Sequence, residues 1–212
     1  FYACLMGMSE VAYQIKDLAD YMVASEEISW VGWPWDRILT DLTNNHGMSG
    51  GQLARIIVTQ YSNHFKTEET SATIAAIDLH QCDKLATAVD NFAQALKAGL
   101  ANYANQTQNA RKNAESYCYQ YHIDLYHFAQ LIRQDPSIPD PTIKTGAKNV
   151  MEAVSSSVIS EWHNIGHSNS HGLSVYFETS AGRYLTYYDD LDFAKQTAWN
   201  EFLRGYLGTP FI

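Results

Sequence analysis

The spacing of apolar positions changes along the chain and divides it into alternating strands and helices. Residues 1–3 form a short apolar stretch that predicts the end of a buried strand. After Cys4, the positions Met8, Val11, Ala12, Ile15, Leu18 and Ala19 recur at helical intervals. Residues 21–24 predict a second strand, closed by the polar Ser25-Glu26-Glu27 and a loop carrying Trp30, Gly32, Trp33, Pro34 and Trp35. A strand–helix–strand unit this short favours parallel pairing of its strands. Two helices are predicted at 36–43 and 52–64, the second with Ser49 placed as N-cap, and a third strand at 72–79. Leu85, Ala88, Val89, Phe92, Leu96 and Leu100 mark a long amphipathic helix over 83–103. Helices at 124–134 and 141–155 flank a proline-rich loop, with Pro141 suited to a first helical turn. Strands at 158–163 and 172–177, joined by the polar 164–170, precede a closing helix at 191–207. The alternation predicts an α/β sandwich with its sheet in the middle.

Composition narrows the function classes. At 212 residues and 23.9 kDa the chain fits one domain, and 46% hydrophobic against 17% charged residues makes it globular. A formal charge of −9, from 14 basic and 23 acidic residues, argues against nucleic acid as a partner. No apolar run approaches the roughly 20 residues that span a bilayer, and no export signal opens the chain. The apolar start at Phe1, without a turn or cap before it, reads as a cut or processed edge. Cys4, Cys82 and Cys118 are too scattered for a disulfide framework or a zinc site; Cys82 and Cys118 are expected as packed thiols.

Cys4 draws attention by position. A cysteine at the end of a central strand, just ahead of a helix, lies where α/β sheets place their ligands and where a helix N-terminus favours thiolate. On spacing alone, a buried strand-end cysteine is the plainer reading. The segment Ala3-Cys4-Leu5-Met6-Gly7-Met8-Ser9-Glu10-Val11-Ala12-Tyr13 resembles the nucleophile segment of the clostripain family, usually D-A-C-L-M followed by a helix. Four further blocks resemble that family in its order: Tyr21-Met22-Val23-Ala24-Ser25-Glu26-Glu27, then Gly32-Trp33-Pro34-Trp35-Asp36, then Ile123-Asp124-Leu125-Tyr126-His127-Phe128-Ala129, and His171-Gly172-Leu173-Ser174-Val175-Tyr176-Phe177 with Leu191-Asp192-Phe193-Ala194 beyond it. The resemblance covers nearly the whole chain. It implies a caspase-like three-layer α/β/α sandwich, incomplete on its N-terminal side, so that residues 1–212 would be the C-terminal part of a peptidase domain. It also implies a cysteine endopeptidase that works through a Cys–His dyad and an acyl-enzyme on peptide or protein substrates, in a secreted or cell-surface setting.

In that family the histidine precedes the nucleophile, in an H-G segment, so the missing N-terminal half of the same protein is an expected partner. His46-Gly47 lies downstream and reads as a surface turn. His163, His167 and His171 have the four-residue spacing of helical metal ligands, but their segment reads as a turn between strands. Calcium is used by some family members; here Asp189, Asp190 and Asp192 fit an acidic first helical turn instead. No metal site is expected. The expected substrate-binding positions are Tyr2, Glu26, Glu27 and Trp33. Tyr2 stands where the family has an aspartate that receives Arg or Lys side chains, which a phenol cannot replace. Glu26 and Glu27 lie beside the pocket; solvated strand-end carboxylates are the plainer reading of both. A second function from a different class, a catalytically silent caspase-like binding domain, is carried by Tyr2 and by the missing histidine.

Overall fold

The computed structural model describes residues 1–30, 32–67 and 71–209. Its elements are α1 (Ser9–Ile15), β1 (Tyr21–Ala24), α2 (Trp35–Asn44), α3 (Gly50–Phe65), β2 (Thr73–Asp78), α4 (Cys82–Asn113), β3 (His122–Asp124), α5 (Leu125–Gln134), α6 (Pro141–Ser157), β4 (Val158–His163), β5 (Ser174–Tyr176), α7 (Asp192–Gln196) and α8 (Trp199–Leu207).

β2 is the centre of a three-stranded sheet in the order β1-β2-β4, with Tyr21 opposite Asp78 and Thr73 opposite His163. Its side chains alternate between two cores. Ile74 and Ala76 join Val58, Tyr61 and Phe65 of α3 on one face, whereas Ala75 and Ile77 face the larger core built by α4, α5 and α6. β3 and β5 form a separate antiparallel pair. The result is the expected α/β/α layering.

Local chemistry accounts for the helix ends. Ser49 caps α3 in a reciprocal capping box with Gln52, with contacts of 3.3 and 2.7 Å. Asp124 caps α5 by accepting from the His127 amide at 2.6 Å, and Asp140 caps α6 with Pro141 behind it.

Several expectations change. Residues 1–3 are not a strand: the Phe1 amino group reaches the Val23 carbonyl, but the chain turns at Cys4 and no ladder forms. Without ladder partners an apolar stretch has no reason to stay extended. The expected parallel pair is therefore absent, and the strand ladders among the described residues are antiparallel, with one isolated parallel bridge between Met8 and Ser174. α1 stops at Ile15 and leaves Leu18 82% exposed, so the apolar spacing runs past the helix. α4 extends ten residues beyond its expected end, across a kink where Tyr103 leaves helical geometry at φ −128° and ψ 21°. β3 was not legible as a strand, being three residues long and backed directly onto α5. β4 and β5 lie in different sheets. The closing helix is two helices, because the Asp90 carboxylate accepts the Ala198 amide at 2.8 Å and starts α8 afresh.

Candidate active site

β1 ends against the first residue of β2. The Thr73 hydroxyl, 1% exposed, accepts from the amides of Glu26 and Glu27 at 3.0 and 3.2 Å and meets the Ser25 hydroxyl at 3.1 Å. This one side chain fixes the turn out of the strand. The segment after Cys4 runs beside it: the Leu5 amide donates to the Glu27 carbonyl at 3.2 Å and the Gly7 amide to that of Ser25 at 2.8 Å, while the Gly7 carbonyl accepts from Ser174 of β5 at 2.8 Å. Gly7 is required here, since a Cβ would fall 2.8 Å from the Glu26 nitrogen and 2.9 Å from the Ser25 carbonyl carbon. Glu10 then anchors α1 by accepting from the Tyr176 amide and the Tyr188 hydroxyl at 2.9 and 2.8 Å.

Cys4 sits at the outer end of that segment, partly exposed. Its thiol donates to the Ser29 carbonyl at 3.8 Å, the single hydrogen bond its sulfur makes among the described residues, and its own amide has no acceptor there. Leu5 has φ +61°. A left-handed leucine costs about 1–3 kcal/mol and persists only where its surroundings impose it. The sulfur is therefore held at the surface by a strained turn rather than packed as a strand-end thiol.

Ser29 joins the cysteine to an aromatic surface. Its hydroxyl accepts from the Trp33 indole at 3.0 Å. Trp33, 6% exposed, stacks on Trp35 at 5.3 Å and meets Tyr61 edge-on at 5.3 Å. Tyr2 lies on top, 51% exposed, 5.5 Å from Trp33 and 6.2 Å from Trp35, with its hydroxyl accepting from the Gly32 amide at 3.3 Å. Tyr2, Cys4 and Trp33 are thus brought together.

Glu26 and Glu27 are not. Both turn inward, 1% and 6% exposed, so neither is a solvated strand-end carboxylate. Glu26 accepts from the Gly172 amide at 3.2 Å and has one oxygen without a partner. Burial, with the Asp124 charge added, raises its pKa well above the ordinary glutamate value. Glu27 accepts from the Ile28 amide and reaches His167 at 3.3 Å.

His167 was singled out only for its spacing. In the structure the three histidines have separate partners: His163 pairs with Glu161, His171 with Asp124, and His167 with Glu27 and, at 3.1 Å, Glu115. Ser71 approaches the same ring at 2.6 Å. Burial opposes the charge on His167, but the bonds to Glu115 and Glu27 outweigh it and raise its pKa to about 9. A buried imidazolium between two carboxylates therefore underlies the Cys4 segment through Glu27. Nothing in the local sequence pairs Glu115 with His167. His46 lies exposed in the turn between α2 and α3. Asp192 stands in the first turn of α7 as expected, and Asp189, in the short 3-10 helix before it, also forms an ion pair with Arg204 and accepts from Tyr184 and Asn200. Cys82 is buried and its thiol is pushed up to about 12, whereas Cys118 is exposed and not the packed thiol expected.

The model of the clostripain family matches residues 1–206. No curated protein matches the sequence. Among solved structures, a clostripain from Bacteroides thetaiotaomicron in complex with the peptide inhibitor BTN-VLTK-AOMK is similar at TM-score 0.63 and 17% identity, over 93% of this chain and 85% of that one. An inactive zymogen C11 protease from Parabacteroides distasonis is similar at 0.68 and 17%, over 93% and 57%. A secreted C11 cysteine protease from Bacteroides thetaiotaomicron is similar at 0.64 and 18%, over 93% and 54%. The chain spans little more than half of the last two. Among the described residues no helix is long and apolar enough to cross a membrane.

Proposed function

The chain belongs to the clostripain family of cysteine peptidases, and on that premise we propose that it hydrolyses peptide bonds with Cys4 as nucleophile and with a histidine supplied by residues outside these 212. The observation that carries this reading is the backbone at Cys4-Leu5: a partly exposed thiol on a strained turn, outside both hydrophobic cores, with its amide unengaged among the described residues. The histidine takes the thiol proton, the thiolate attacks the substrate carbonyl, and the Cys4 amide donates to the oxyanion that forms. The amine leaves with a proton from the histidine, and water hydrolyses the acyl-enzyme. Tyr2 and the Trp33–Trp35 pair form the adjacent surface for substrate side chains. A secreted or cell-surface location fits the family.

The test uses the full-length gene product and a peptide library. Hydrolysis is expected, and Cys4→Ala should abolish it while the protein stays folded. The 212 residues alone should be inactive for want of a general base; robust hydrolysis by them would show that the histidine is misplaced. Peptide binding with no hydrolysis by the full-length protein would assign the silent caspase-like binding domain instead.

A further inference from the structure

Arg111, near the end of α4, is 7% exposed. Its guanidinium is fixed from behind: Nε donates to the Phe177 carbonyl at 2.9 Å, Nη2 donates to that of Gln120, and the guanidinium carbon lies 5.4 Å from the centre of the Phe177 ring. Two carbonyls and a ring orient the group but bring no negative charge. Among the described residues Arg111 has no ion pair, and its Nη1 has no acceptor. Burial lowers its pKa to about 10, with Tyr206 and Glu178 opposing, so it stays a cation at neutral pH.

Nη1 is left for a cleft of ≈ 640 Å³ that Arg111 lines together with Lys112, Arg183, Glu178, Gln108 and Thr179. Lys112 and Arg183 are exposed and carry no ion pair among the described residues. Glu178 is the acid of the lining, and one of its oxygens is already occupied by the Thr179 and Ser180 amides at 2.7 and 2.9 Å. Three cations therefore face one acid, in a chain whose net charge is −9. None of the lining residues belongs to the Tyr2–Cys4–Trp33 surface.

We propose that this cleft binds an acidic peptide segment, with an Asp or Glu carboxylate received by Arg111 and flanked by Lys112 and Arg183. Since Nε and Nη2 are already engaged, the guanidinium offers one amino group rather than a full fork. That suits a single carboxylate oxygen better than a multiply charged phosphate, which would also meet Glu178. The volume exceeds what a lone ion fills and lies in the range that holds an organic ligand. The Gln108 amide and Thr179 hydroxyl can pair with peptide backbone.

The experiment uses full-length protein carrying Cys4→Ala, so that binding is read apart from hydrolysis. The probes are acetyl-Gly-Asp-Glu-Asp-Gly-amide and its counterpart acetyl-Gly-Asn-Gln-Asn-Gly-amide, titrated by calorimetry, with hydrogen exchange to locate the contact. The acidic peptide should bind at least about tenfold tighter, with protection at 108–112 and 178–183. The Lys112→Gln/Arg183→Gln variant alters exposed side chains alone and should weaken it about tenfold. Arg111→Lys should weaken it as well, with a lowered melting temperature because the bonds to the Phe177 and Gln120 carbonyls are lost, so the exposed pair carries the decision. Equal binding of the two peptides, protection elsewhere, indifference to the Lys112→Gln/Arg183→Gln pair, or equal competition by inorganic phosphate would each overturn the assignment.

Discussion

Tyr2 shows how one side chain sets what a pocket can accept. Its ring lies against Trp33 and Trp35 and its hydroxyl takes the Gly32 amide, so an aromatic surface stands where the family resemblance places a carboxylate. The two neighbouring acids cannot substitute, because Glu26 is sealed beside Gly172 and Glu27 is bound to His167. Preference for Arg or Lys at P1 should therefore be weaker than in relatives with an aspartate at this position. Removing one partner of a desolvated ion pair typically costs about 2–5 kcal/mol. A P1-varied substrate library on the full-length protein should show little basic preference, and Tyr2→Asp should raise it by about thirtyfold to a few thousandfold. Strong cleavage after Arg and Lys by the unaltered protein would refute the argument. The cysteine itself was legible in the sequence through its flanking block. Its strained neighbour Leu5 was not, because a leucine carries no sign of a positive φ until the surrounding hydrogen bonds impose one.

The junction of β1 with the Cys4 segment is held by few groups, and each is short-ranged. Thr73 accepts two backbone amides and pairs with Ser25, all within the buried layer between β1 and β2. Thr73→Val keeps the shape and β propensity but leaves the Glu26 amide without a partner, while the Glu27 amide keeps the Ser25 hydroxyl at 3.2 Å. The expected loss is about 1–3 kcal/mol, the cost of one buried donor left unsatisfied. A lower denaturation midpoint with an unchanged slope checks this, and hydrolysis should fall with it because Glu27 carries the Leu5 amide. A variant as stable as the parent would show that Ser25 and the β1–β2 ladder hold the junction unaided. Most helices were readable at this scale, from α2 through α6, because their apolar period and caps are local. The strand at residues 1–3 and the parallel pair were wrong, since pairing partners are chosen by packing across the sheet.

A buried charge links the whole molecule to pH. His167 gathers Glu27 from the end of β1, Glu115 from beyond α4 and Ser71 from before β2, with the Tyr117 ring 5.2 Å away. Its folded pKa, about 9, lies above the ordinary 6.5. The stability it contributes is therefore fully present below pH 6.5 and is lost as pH rises through 9, on the order of 3 kcal/mol in all. Denaturant titrations of the full-length protein between pH 6 and 10 should show this loss, and His167→Gln should be less stable at pH 6 while flattening the decline. A parallel decline in both proteins would mean that other groups govern it. The sequence by itself determined the family, the α/β alternation, most helix spans and the candidate nucleophile, because these rest on local blocks and periods. The tertiary structure alone decided that β4 and β5 part company, that Glu26 and Glu27 face inward, and that His167 is an ion-paired cation. Those outcomes depend on contacts such as His167 with Glu115, 52 residues apart, and Glu26 with Gly172, 146 apart. A polar side chain's partner across such a separation leaves no periodic mark in the chain; it is fixed only when the layers pack and exclude the water that would otherwise satisfy it.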